Sequence, residues 1–107
     1  MIMMIVSAPA DAAENIAKEL LAKRIAGCVQ ILKSVESVYI WKGKLETADE
    51  SILFVKLPKK NESAAQEIIK EAHPYEVPEI LSVDVSSNEE YRRWLYEVAS
   101  DKRPKKI

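Results

Sequence analysis

The stretch Cys28–Leu57 constrains this chain more than any other. Cys28–Trp41 is rich in Val, Ile and Tyr, Lys42-Gly43 has turn chemistry, and Lys44–Leu57 reads as a returning strand, clearest from Ile52 to Leu57. Val29 and Ile31 alternate with polar neighbours, and Val38 and Ile40 resume after Ser34–Ser37, so the first arm reads as one long, bent strand. Arms of about a dozen residues exceed the usual five or six. Part of the hairpin is therefore expected to project beyond the domain's own sheet. Edge strands expose unpaired N–H and C=O groups, and these also carry Tyr39, Trp41 and the run Ile52–Val55. A second chain is needed to cover them, and a closed ring of identical chains covers every edge alike. The expectation is a homotrimer built mainly by this hairpin, with an interface above roughly 2,000 Å².

The flanking segments supply the rest of a domain. Ile2–Val6 is a continuous apolar run, as in a buried central strand. Pro9 and Ala10 break it, and Asp11 with Glu14 reads as a capping box. Ala13, Ile16, Ala17, Leu20 and Leu21 then share a helical face, and Gly27 is the expected stop. After Pro58, Asn61 or Ser63 can cap a second helix with the stripe Ala65, Ile68, Ile69 and Ala72. Glu79–Val85 reads as a strand. Ser87 with Glu90 reads as another capping box, before a third helix with Tyr91, Trp94, Leu95 and Val98 on one face. The order βαββαβ followed by α is α+β, a ferredoxin-like sandwich with an extended β2–β3 hairpin and an added C-terminal helix. The first and last strands are expected in the middle of its sheet and the hairpin strands at the edges. One domain, residues 1–100, accounts for the chain, with a basic tail over 101–107.

Charge and cysteine content narrow the function. There are 16 basic and 17 acidic residues, for a net charge of −1, which does not favour a polyanion partner. The central strands expected here carry no aromatic residue on which RNA bases could stack. Ser7-Ala8-Pro9-Ala10-Asp11 has neither the arginine nor the glycine nest of a phosphate-cradling catalytic loop. No nucleophile–base pair is legible, so the chain is read as not an enzyme. Cys28 is the only cysteine, which suits a reducing compartment. Met1–Val6 is too short for a membrane span and lacks a basic leader, so the expected location is the cytoplasm, with no membrane partner.

The one histidine stands in His73-Pro74-Tyr75-Glu76-Val77-Pro78. Pro74 ends the preceding helix, and Pro78 favours an extended Val77. A titratable ring on a stiffened corner suits ligand binding. The plainer role is to cap the helix carbonyls.

These motifs together resemble a known family. Trp41-Lys42-Gly43-Lys44-Leu45, Glu50, Lys56, His73-Pro74-Tyr75-Glu76-Val77-Pro78, Tyr91 and Trp94-Leu95 are similar to the CutA divalent-cation tolerance proteins. Val6-Ser7-Ala8-Pro9 and Arg24-Ile25-Ala26-Gly27-Cys28 add to the likeness, which covers roughly residues 2 to 99. The resemblance implies a cytoplasmic homotrimer, similar in assembly to the PII signalling proteins and linked to tolerance of copper and other divalent cations. It implies a site using Trp41, Glu50, Lys56 and Tyr75. Copper ligands ascribed to some members are a first-strand cysteine and a His-His pair, and the matching positions here are Val6, Ala72 and His73. With one ligand of three left, tight copper binding at His73 is not expected.

His73 and Cys28 are the candidate metal ligands by residue type. The plainer role of Cys28 is a small buried hydrophobe. A divalent cation such as copper is the candidate cofactor, and none is needed for folding. Glu50 and Lys56 share a face of a regular strand but lie about 20 Å apart, so any site joining them needs a neighbouring subunit. The alternative function is a PII-like regulatory trimer that binds a small molecule or nucleotide between subunits.

Overall fold

A computed structural model describes residues 1–100, and the basic tail expected over 101–107 lies outside the described residues. The elements are β1 (Ile2–Ala8), α1 (Ala10–Ala22), β2 (Cys28–Trp41), β3 (Lys44–Leu57), a short 3-10 turn (Lys59–Asn61), α2 (Glu62–Ala72), β4 (Ile80–Asp84) and α3 (Glu89–Val98). The α+β class and the βαββαβ order with its long hairpin and added helix are as read. The turn between β2 and β3 is Lys42-Gly43, with both residues at positive φ, 50° and 80°. That is the I′ geometry that matches strand twist.

Strand placement corrects the expectation. All pairs are antiparallel and the order is β2-β3-β1-β4, so β3 is interior and β4 lies at an edge. Each helical crossover passes over one intervening strand. The physical reason is in β3 itself. Ile52–Leu57 is nearly all apolar and fits between two neighbours, whereas β4 has only five residues, of which Ser82 and Asp84 are polar.

Register sets the core. Ile2, Met4, Val6 and Ala8 of β1 stand opposite Leu57, Val55, Leu53 and Ser51 of β3, and all eight are buried. Ala13, Ile16, Ala17 and Leu20 of α1 and Ala64, Ala65, Ile68 and Ile69 of α2 join this cluster, with Ala72 packed against it. Each fully buried Leu, Ile or Met contributes roughly 1.5–3 kcal/mol. Leu21, assigned to the stripe from sequence, lies instead near its margin and is exposed. The other face of the sheet carries Met3, Ile5, Leu32, Ile52, Phe54, Leu81 and Val83; Tyr91 of α3 reaches it at Cys28, and Leu32, Leu81 and Val83 are exposed.

Four local readings change. At α1 the N-cap is Pro9, extended at φ −57° and ψ 152°; Asp11 lies in the first turn, where its carboxylate accepts from the Ala12 N–H at 2.9 Å. α1 ends before Gly27, by a Schellman turn: Arg24 N–H donates to the Leu21 carbonyl at 3.1 Å and Ile25 N–H to that of Leu20 at 3.0 Å. Arg24 takes the left-handed position (φ 59°), and Gly27 is needed for packing, because a Cβ there would stand 2.6 Å from Leu95 Cδ1. Asn61 occupies the N-cap position of α2 without a side-chain cap bond. Its amide instead donates to the carbonyls of Ile25 (3.0 Å) and Ala99 (3.2 Å), tying the end of α1 to the end of α3. At α3 the N-cap position is Asn88, and Ser87 Oγ donates to its carbonyl. Leu95, not the aromatics, is the buried residue of α3, and Trp94 stays 44% exposed.

Candidate functional site

A bulge in β2 decides which side chains meet. Leu32 pairs with Ile52 and Val35 with Glu50, so Lys33 and Ser34 together oppose Ser51 alone. Ser34 adopts φ 61°, which lets the extra residue fit. The insertion shifts the phase of β2 by one. Beyond it Ser37, Tyr39 and Trp41 pair with Ala48, Glu46 and Lys44, and so share the face of Glu50. Without the bulge that face would carry Glu36, Val38 and Ile40.

The loop after α2 closes the other side. His73 at its start is extended (φ −87°, ψ 132°), as a residue before proline must be. Its buried ring does not cap the helix carbonyls. Tyr75 N–H donates to Nδ1 at 3.2 Å, so Nε2 carries the hydrogen and donates to the Ser7 carbonyl at 2.7 Å. The ring also packs on Tyr75, with centroids 4.8 Å apart. His73 thus fastens the loop to the end of β1 and fixes Tyr75. Tyr75 Oη donates to Glu50 Oε2 at 2.8 Å, and Ser7 Oγ donates to Glu79 Oε2 at 2.9 Å. Burial first, then the bond to Glu50 and its charge, pushes the Tyr75 hydroxyl up to about 12.

These groups line a cavity of about 660 Å³, walled by Ser7, Ser37, Val38, Tyr39, Trp41, Glu50, Pro74–Val77 and Glu79. Its charged side chains are all carboxylates, and its rings are Tyr39, Trp41 and Tyr75. Glu50 is only 6% exposed. Among the described residues, Tyr75 is the one donor to its carboxylate, and the ion pairs lie elsewhere, at Lys23–Glu19, Lys59–Asp84 and Arg93–Glu89.

Of the residues singled out from sequence, Trp41, Glu50 and Tyr75 meet in this pocket, and His73 stands directly behind it. Lys56 and Cys28 do not join them. They pair with each other across β2 and β3, where Lys56 Nζ donates to Gln30 Oε1. Cys28 is half-buried beside Tyr91, whose hydroxyl is pushed up by burial first and then by the neighbouring thiol. Lys56 pairs with Met3, four residues along β1 from Ser7, so Cys28 and His73 are separated by about 13 Å along the strands. Among the described residues no group of three or more His, Cys, Asp or Glu is placed to hold a metal ion. Sequence reasoning missed Ser7, Ser37, Tyr39 and Glu79 as pocket residues. The period-two series Ser37, Tyr39, Trp41 was a legible signal for two of them.

Fold and pocket together define a ferredoxin-like protein with an acidic, aromatic-walled cleft at the base of a long hairpin. The chain belongs to the CutA1 divalent ion tolerance protein family, whose model matches residues 1–98. It is 36% identical over 96 residues to the divalent-cation tolerance protein CutA of Pectobacterium atrosepticum, covering 88% of this chain and 87% of that one. It spans less of some relatives: 65% of the length of a CutA homolog from Xenopus laevis, at 35% identity over 90% of this chain. The solved structure of the divalent cation tolerance protein from Thermus thermophilus superposes with a TM-score of 0.89 at 34% identity, over 94% of this chain and 100% of that one. A structure described as the PII-like protein CutA from Nostoc gives 0.88 at 29% identity, over 94% and 98%. Among the described residues no helix is long and apolar enough to cross a membrane.

Proposed function

We propose that this chain is a cytoplasmic, non-enzymatic homotrimer that serves divalent-cation tolerance and takes a cationic ligand in the pocket at the hairpin base. The observation that carries this reading is Glu50, a buried carboxylate that faces the pocket without a cationic partner among the described residues. An unpaired buried charge costs on the order of several kcal/mol, and a cation in the pocket would offset that cost. Glu76 and Glu79 add negative charge around it.

The partly exposed apolar sheet face and the projecting hairpin support the homotrimer, since both leave surface that a second copy would cover. The unpaired Cys28 supports a reducing compartment, although a solved relative from Archaeoglobus fulgidus is described as periplasmic. Cell fractionation decides between the two. The engaged ring nitrogens of His73 support weak copper binding there, because a metal would displace a hydrogen bond. A PII-like regulatory role is the second reading, favoured by the likeness to the Nostoc structure. A nucleotide in this pocket would set its phosphates against three carboxylates.

Light scattering coupled to size exclusion, with calorimetry of copper, zinc and ATP, tests the proposal. The expected mass is three times the 12.1 kDa chain. The expected heats are weak for the metals, lost in Glu50→Gln and kept in His73→Ala. A monomer mass would sink the assembly, and tight ATP binding without a cation response would favour the regulatory reading.

A further inference from the structure

We propose that the occupant of this pocket is a primary organic ammonium, an amine with an apolar body, rather than a bare metal ion. The inference rests on the reading that the pocket takes a cation, and it names the class.

Charge and hydrogen-bond capacity point to an N–H cation. A carboxylate offers about four lone-pair sites, and among the described residues Glu50 receives one hydrogen bond, from Tyr75. A primary ammonium carries three donors on one positive centre, so it would supply both the missing charge and the missing bonds. A divalent ion fits less well. It needs several ligands converging on a point, and no such group exists among the described residues. The volume agrees, since a cavity of about 660 Å³ is far larger than an ion and is of the size that holds a small organic molecule.

The walls point to an organic body. Tyr39, Trp41 and Tyr75 present rings, and Pro74 and Val77 present apolar surface in the same pocket as the carboxylate. Aromatic faces attract cations as well as methylene chains. Trp41 already does so within this chain, for Lys42 Nζ, itself a primary alkylammonium, stands 5.8 Å from its ring centroid. An anionic ligand is disfavoured by Glu50, Glu76 and Glu79, and a neutral apolar one would leave Glu50 buried without a counter-charge.

The test is a titration of 15N-labelled full chain by NMR with n-butylammonium, the uncharged alcohol 1-pentanol, which has a slightly longer apolar chain, and zinc. The indole N–H of Trp41 is the reporter, and that of Trp94, exposed on α3, is the internal control. Butylammonium is expected to shift Trp41 and the Tyr75 amide saturably while leaving Trp94 in place. Pentanol is expected to bind at least about tenfold more weakly, the size of effect that a desolvated cation–π contact and a charged hydrogen bond supply. Glu50→Gln should abolish the saturable shift with the fold retained. If Glu50→Gln does not fold, Glu79→Gln, which removes a second carboxylate of the pocket and can still accept from Ser7, carries the test through the Trp41 indole and should weaken butylammonium binding. Equal binding of butylammonium and pentanol, or equal shifts at Trp94 and Trp41, would overturn the proposal. Tighter zinc binding at the same reporters would overturn the organic ligand and leave the cation reading standing. No response to any cation would overturn both.

Discussion

At the base of the hairpin, Leu53, Val55 and Leu57 are fully buried between β1 and β2; near its tip, Ile40 and Leu45 pair with each other yet stay 67% and 71% exposed. Both halves pair β2 with β3 on either side of the bulge, but Ser51–Leu57 is nearly all apolar, whereas Lys44–Glu50 carries Lys44, Glu46, Asp49 and Glu50. They also differ in what lies on their faces. Ser51–Leu57 has β1 alongside and helices on one face, whereas Lys44–Glu50 is paired only with β2. The boundary falls at the Ser34 bulge, next to Glu50, which is also where the pocket forms. Strand pairing alone therefore does not bury a hairpin, and the place where its support ends is where a cleft opens.

Substitutions can sharpen this contrast. The largest effect is expected at the base: Leu53→Ala should cost about 2–5 kcal/mol in denaturant unfolding at any protein concentration. Near the tip, Trp41→Ala should cost on the order of 2 kcal/mol through lost assembly, so its effect should depend on protein concentration. A concentration-independent loss there would mean that the tip is stabilised within its own chain. Gly43→Ala should cost about 1 kcal/mol, read from the unfolding midpoint. Its Cβ would meet nothing within 4 Å, so the loss would come from φ +80° alone.

The smallest effect concerns alkaline pH. Tyr75 holds its proton to about 12 in the fold, against 10.0 as an unperturbed group. Between these values the unfolded chain has fewer protons bound than the native one, so stability falls as pH rises. The Tyr75 contribution is full below pH 10 and lost as pH passes through 12. Tyr75→Phe should flatten that limb of the stability–pH curve, measured by urea midpoints at several pH values. An unchanged slope would show that burial and the Glu50 contact do not hold the Tyr75 hydroxyl neutral.

The sequence alone determined the periodic elements, a turn at Lys42-Gly43, the length of the hairpin and the break at His73-Pro74. Each depends on neighbours a few residues apart, through side-chain period, proline geometry or turn chemistry. The family resemblance also marked Trp41, Glu50, Lys56 and Tyr75, of which all but Lys56 line one pocket. Tertiary structure alone decided the rest. The order β2-β3-β1-β4 came from competition among strands for two-sided burial, and Asn61 was drawn from capping by two distant carbonyls. Gly27 answers to Leu95, far along the chain, and not to the helix before it. The pocket depends on a single extra residue at Ser34, which turns Tyr39 and Trp41 toward Glu50. A one-residue change of phase leaves almost no mark on local composition, yet it moves every following side chain to the other face of the strand.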